Sequence, residues 1–212
     1  MRRGKLVCMG SPNELPVNHH ADHPGFSGVM GVSVGLILLL MGRASARLAA
    51  DLVAVTGADR VVDIGCGPGG AVREAARRGA SVTGVDPAPV MLRLARAFTR
   101  RGDITWTTGT AEQVPLPDGS ATVWWSLATV HHWQDVDKGI AEARRLLAPG
   151  GRLLAMERQT APDATGLASH GWTRRQAESF AELCRSAGFT DVTVGGHKAG
   201  RREVWAVQAV RP

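Results

Sequence analysis

Between Val61 and Gly70 the chain reads VVDIGCGPGG, so that Gly65, Gly67, Gly69 and Gly70 crowd into one loop directly behind Asp63. Glycine admits backbone dihedrals closed to other residues and lets a ligand approach the main chain. Asp86 follows about 20 residues on, where a carboxylate ending the next strand can accept both hydroxyls of a ribose. Gly65, Gly67 and Gly70 also satisfy the GxGxxG spacing of dinucleotide loops, so spacing alone leaves a nicotinamide dinucleotide open. The neighbours favour a different nucleoside. Asp63 would repel a pyrophosphate but attract the ammonium and sulfonium of S-adenosylmethionine (SAM). Pro68 removes one N–H from the loop, a poor choice for cradling phosphate.

A second constellation lies in SLATVHHWQD, which sets His131 and His132 behind an apolar run. Methyl transfer from a sulfonium is an in-line displacement in which alignment does most of the work. A hydroxyl acceptor also benefits from a base that takes its proton, and histidine titrates near neutrality. Trp133 beside them suits a pocket wall or the core. Glu157, at the end of a later apolar run, would bind a polar acceptor, steer a histidine, or pair with Arg158. His170 and Trp172 close a loop and would cover an acceptor. His19, His20, Asp22 and His23 form HHADH near the start; these types suit a divalent ion, but neighbours in an arm also suit a solvated segment or a lid over SAM, and no metal is assigned. Trp106, Trp124, Trp125 and Trp205 fall on strands and suit the core.

These residues need a scaffold, and the rest of the pattern supplies one. Residues 1 to about 25 lack periodicity and read as a loose arm; Ser27 to Val55 is helical in pattern, as two helices meeting near Gly42 and Arg43. From Val61 onward strand and helix alternate: RVVDIG, SVTGVD, ITWTTG, ATVWWSLA and RLLAMER as strands, with helices between most of them. LAPGG reads as a turn launching the fifth strand. TRRQAESFAELCRSAGF is a last helix, and DVTVGGHK and EVWAVQAV are two closing strands whose connection is too short for a crossover helix. The expected fold is α/β, a doubly wound Rossmann-like sheet, mostly parallel, with a C-terminal antiparallel hairpin and an N-terminal helical cap. Residues 1–56 would be arm and cap, and 57–212 the ligand-binding domain. In such a sheet ligands sit beyond the carboxyl ends of the strands, where the glycine loop, Asp86, the histidines and Glu157 all fall.

Composition narrows the class. With 212 residues, 44% hydrophobic and 21% charged, the chain suits one ordinary globular domain. The net charge of +6 comes mainly from scattered arginines without interleaved aromatics, which argues against a nucleic-acid partner. Cys8, Cys66 and Cys184 are three and far apart, so a reducing, cytoplasmic setting is expected. The apolar run Val29–Met41 is shorter than the roughly 20 residues of a membrane span. It would suit a lipophilic acceptor or build a homodimer seam.

VVDIGCGPGG, VTGVDPAPVML, GTAEQVPLPDGS and EARRLLAPGGRLLAMER stand in the order and spacing of class I SAM-dependent methyltransferases. From about Arg60 to Arg158 the chain resembles their small-molecule branch, which includes the ubiquinone and menaquinone methyltransferases. The resemblance implies that Gly65, Cys66, Gly67 and Gly69 line the methionine half of SAM, with Asp63 near its amino group. Asp86, followed by Pro87, would hold the ribose; Met91 would pack on adenine; Ala111 and Glu112 would lie at the adenine edge, and Leu127 would complete the set. Thr110 stands where the family often has Asp, so the adenine amino group would meet a hydroxyl without charge. HHW also resembles the His-Asp-Trp of plant phenolic O-methyltransferases, whose first histidine is the base; by that match the base is His131.

The implied activity is methyl transfer from SAM, leaving S-adenosylhomocysteine, to a small-molecule acceptor, most readily a hydroxyl oxygen of a phenol, quinone, polyketide or sugar. The alternatives are a protein that binds SAM without turnover and an NAD(P)-dependent reductase. A reductase would want a proton-donating tyrosine, and the chain has no Tyr. The Asn/Asp-Pro-Pro-Tyr/Phe of DNA amino-methylating enzymes is replaced by ATVHH, and the acidic strand ends of catechol-type metal enzymes are not found.

Overall fold

The computed structural model describes residues 16–21 and 42–212. A seven-stranded sheet has the order β3-β2-β1-β4-β5-β7-β6. Its strands are β1 (Arg60–Ile64), β2 (Ser81–Asp86), β3 (Ile104–Thr108), β4 (Ala121–Leu127), β5 (Leu147–Arg158), β6 (Thr190–Ala199) and β7 (Arg202–Val210). The first five run parallel. β7 is antiparallel to both β5 and β6, slotting between them. The expected doubly wound sheet with an antiparallel hairpin is therefore the fold observed.

The helices are α1 (Arg43–Leu52), α2 (Gly70–Arg77), α3 (Pro89–Ala97), α4 (Val136–Leu146) and α5 (Arg174–Ser186). Asp135 caps α4 by accepting from the Lys138 amide, and Thr173 with Gln176 forms a reciprocal capping box at α5. One apolar layer, with Trp124, Ile140, Leu153 and Phe180, lies between the sheet and α4 and α5. The other, with Ala49, Val72, Leu92 and Trp125, lies under α1, α2 and α3. Strands buried on both faces explain why ATVWWSLA is nearly continuous in apolar residues rather than alternating.

Two readings change. LAPGG is the start of β5 rather than a free turn, because the Gly150 amide donates to Arg211 O at 2.7 Å and the Arg211 amide to Gly151 O at 2.8 Å, tying it to the chain end. Residues 16–21 are not loose: the His20 amide donates to His131 O at 2.9 Å, and the Trp172 indole donates to Val17 O at 3.0 Å. Cys8, Asp22, His23 and the run Val29–Met41 lie outside the described residues. Among those described, no helix is long and apolar enough to cross a membrane.

Candidate active site

The glycine loop leaves β1 and enters α2 at the carboxyl edge of the sheet. Gly65 has φ +67°, and a Cβ there would lie 2.5 Å from the Thr129 methyl, so the loop presses directly on the segment that follows β4. Gly67 has φ +52° and open space where a Cβ would point. The backbone there is bare toward that space, as close approach by a ligand requires. Asp86, at the end of β2, accepts from the Gly67 amide through Oδ2 and from the Ala88 amide through Oδ1, both at 2.8 Å. Its carboxylate thus ties the loop to the start of α3 and keeps further lone pairs for ribose hydroxyls.

Asp63 is 2% exposed, and its Oδ2 has no hydrogen-bond partner among the described residues; the neighbouring Trp125 indole does not reach bonding geometry. Burial, reinforced by the negative charge of Asp86, pushes the Asp63 carboxyl well above the usual carboxylate range. Burial also raises Asp86, against the two amides that favour its ionised form. A buried carboxyl group with an unmet Oδ2 beside a bare glycine loop fits the ammonium of SAM and opposes a pyrophosphate.

This arrangement has a measurable consequence. A carboxyl whose folded pKa is raised stabilises the ligand-free fold below its unfolded value, and that contribution is lost as pH rises through the folded value. A bound cation favours the ionised form and reverses the loss. The rise in melting temperature caused by saturating SAM should therefore be larger at about pH 8 than at about pH 5.5, and Asp63→Asn should flatten that difference. Thermal melts at both pH values, with and without SAM, check it.

Other residues expected at the cofactor divide. Ala111 is buried and Thr110 exposed in a tight turn closed by mutual Thr110–Gln113 backbone bonds. Glu112 is committed elsewhere: its Oε1 accepts from the Gln134 and Asp135 amides at 2.8 and 3.2 Å, fixing the entry to α4. Cys66 is buried, its Sγ lies 3.7 Å from Gly67 O, and its thiol is raised by burial and then by Asp63 and Asp86. Gly69 has φ +78°, and a Cβ would stand 2.3 Å from the Trp106 ring; its task is to turn into α2 and pack on β3. Met91 is 1% exposed at the α3 end, Leu127 half-buried and Pro87 exposed.

On the acceptor side, His131 and His132 form a 3-10 turn, Val130–His132, just beyond β4 and two residues past Thr129. His131 is buried, and its Nδ1 lies 2.9 Å from Glu157 Oε2. Glu157 Oε1 accepts from the Val130 amide at 2.8 Å. Glu157, itself 1% exposed, therefore steers the histidine rather than pairing with Arg158. Arg158 instead donates to the carbonyls of Leu167, Ala168 and His170, pinning the loop behind β5. The carboxylate partner places the imidazole proton on Nδ1, which leaves Nε2 of His131 as the basic atom. Burial, with His131 and His170 beside it, holds His132 down to about 4, so His132 is neutral at neutral pH.

The loop after β5 and residues 16–21 add imidazoles to this pair. His20 stacks on His170 with centroids 4.2 Å apart, and His170 lies 5.4 Å from both His131 and His132. His19 Nε2 meets Ser169 O at 2.9 Å, and His20 Nε2 meets Ser169 Oγ at 3.1 Å. Asn18 donates to Trp133 O, and Gln176 to Pro16 O. Trp172 and Trp133, at 0% and 5% exposure, pack around Phe180, and the Trp172 indole also holds Val17. The anchoring roles of Asn18, Ser169 and Gln176 carried no signal in sequence beyond the nearby histidines.

Residues 62–155 match the family model described as a methyltransferase domain. The chain is 37% identical over 112 residues to a demethylmenaquinone methyltransferase of Tropheryma whipplei, covering 52% of this chain and 46% of that protein. It is 33% identical over 123 residues to a 27-O-demethylrifamycin SV methyltransferase of Amycolatopsis mediterranei, covering 56% and 45%. The chain thus matches about half the length of these curated relatives. A solved S-adenosylmethionine-dependent methyltransferase from Mesorhizobium loti superposes with a TM-score of 0.66 at 23% identity, over 82% of this chain and 100% of that one, which shows a shared fold.

Proposed function

We propose that the chain, whose residues 62–155 match a methyltransferase-domain family model, moves a methyl group from SAM to a hydroxyl oxygen of a small-molecule acceptor, with His131 as base. The observation that carries this reading is the buried His131–Glu157 pair, set two residues from the Thr129 that abuts Gly65. Such a pair is built to accept a proton beside the methionine half of the cofactor site.

SAM, when bound, supplies the activated methyl group. The chain's own residues do the rest. Asp63 balances the cation, and Asp86 holds the loop and the ribose. Glu157 keeps Nε2 of His131 free of its proton and aimed away from the carboxylate. Bound SAM would keep the electron pair of the broken carbon–sulfur bond and leave as S-adenosylhomocysteine, while Nε2 of His131 would take the hydroxyl proton of the acceptor. The rifamycin relative carries an O-methyl position in its name, and so does a malonyl-[acyl-carrier protein] O-methyltransferase of Serratia marcescens, while a Caulobacter relative is named a C-methyltransferase; the buried base favours oxygen here.

The test uses purified protein, SAM carrying a labelled methyl, and a panel of phenols, quinols, polyketide alcohols and sugars. We expect SAM and S-adenosylhomocysteine to bind, NADPH not to bind, and label to appear on at least one hydroxyl. Label on carbon only, or NADPH binding in place of SAM, would sink the reading.

A further inference from the structure

His131, His132 and His170 each bring one ring nitrogen to within 4.8 Å of the other two. They come from separate pieces of chain: two from the turn after β4, one from the end of the Gly166–Ser169 turn in the loop after β5. We propose that these three imidazoles form a binding site for a divalent transition-metal ion, Zn²⁺ by preference.

Three features support it beyond proximity. First, the tautomers are set. His131 Nδ1 faces the Glu157 carboxylate at 2.9 Å, and His132 Nδ1 faces His20 O at 3.3 Å. Both partners accept, so both rings carry the proton on Nδ1 and offer a lone pair at Nε2. Neither Nε2 makes a hydrogen bond among the described residues. A carboxylate or carbonyl behind the distal nitrogen is the support that metal-ligating histidines use. Second, the scaffold holds the third ligand without a metal. Arg158 bonds the carbonyls of Leu167, Ala168 and His170, fixing the backbone that presents His170. Third, His19 and His20 each commit Nε2 to Ser169.

The donor set is three imidazoles with no thiolate, which suits zinc and its neighbours rather than calcium or magnesium. Tetrahedral zinc with Zn–N bonds of 2.0–2.1 Å sets its nitrogens roughly 3.4 Å apart. The nitrogens here, within 4.8 Å of one another, need draw in by about 1.4 Å at most. Three protein ligands leave a fourth position for a water or an acceptor oxygen, the pattern of catalytic rather than structural zinc. The ion and the proton compete for Nε2 of His131: metal-free, that nitrogen is a base; metal-bound, it is a ligand. The site shares His131 with the methyl-transfer reading, but its test needs no turnover.

The experiment takes tag-free protein stripped by chelator and titrates Zn²⁺ against a chromophoric competitor, with Co²⁺ absorption reporting geometry. We expect one Zn²⁺ per chain and intense four-coordinate Co²⁺ bands. His132→Ala and His170→Ala should each weaken binding by about 100-fold, and Glu157→Gln by about 10- to 100-fold through loss of support to His131. His197→Ala, on β6, should change nothing. Zinc should also raise the melting temperature of the parent chain but not of His170→Gln, a milder variant that guards against misfolding of the alanine form. Absence of stoichiometric binding, or binding that survives His132→Ala and His170→Ala together, would overturn the site. Binding lost only on replacing His19 and His20 would place the metal elsewhere and overturn it too.

Discussion

Asp86→Ala is expected to weaken SAM and S-adenosylhomocysteine binding by about 100-fold or more, since two or more charge-assisted hydrogen bonds at roughly 1.5–3 kcal/mol each are removed. The residue acts twice. Its oxygens hold the Gly67 and Ala88 amides at 2.8 Å, so the carboxylate sets the shape of the glycine loop before any ligand arrives. By the proposed reading, its remaining lone pairs would accept from two ribose hydroxyls. Alanine would remove the proposed ligand contacts and also leave two half-buried amides without this acceptor. Asparagine separates the two effects only in part: its carbonyl can serve one amide, while its NH₂ would confront the other. Asp86→Asn should therefore bind SAM more weakly than the parent but better than alanine. Calorimetric titration measures each constant, and a thermal melt of each variant shows whether the fold survives. Unchanged SAM affinity in Asp86→Ala would mean that the ligand does not lie on this loop.

The elements that carry this prediction were legible because they are local. A strand of β-branched residues, a glycine loop, a helix and a second strand ending in Asp86 lie between Arg60 and Asp86, and the loop and helix end carry their own chemical signal in glycine or proline. The acceptor side was legible only in parts. His131, His132, Glu157 and His170 stood out by type, yet nothing in the spacing joined His131 to Glu157. That link depends on β4 and β5 being neighbours in register, with Leu127 opposite Met156. Residues 16–21 were misread for the same reason: their bonds reach residues more than 110 positions away, beyond any periodicity. Glu112 and Trp172 show the converse. They stood out by type, and the structure shows a local use that the sequence did not signal, at the amides that start α4 and in the core around Phe180. Polar atoms near a site are taken up first by the backbone groups that burial would otherwise leave unmet.

Once an acceptor is known, His131→Ala should lower kcat by about 10²- to 10⁴-fold, the usual worth of a positioned base, with SAM affinity little changed. Glu157→Gln should fall within the same range by a different route. The carboxylate accepts from the Val130 amide and from His131 Nδ1 at once. A glutamine keeps one accepting oxygen. If that oxygen stays on Val130, its NH₂ donates to Nδ1, and the imidazole proton moves to Nε2, the atom required to be bare. The ring remains in place but is the wrong tautomer for the task. Glu157 is thus a positioning residue, and its replacement should shift the pH–rate profile as well as its height, which a purely structural loss would not do. His132 cannot take over, because burial and its histidine neighbours hold it down to about 4 and it is a weak base at neutral pH. Parallel kcat, KM and pH measurements on the two variants decide the matter. Turnover within a few-fold of the parent in His131→Ala would assign proton removal to another group, or to an acceptor that reacts through carbon or nitrogen without needing it.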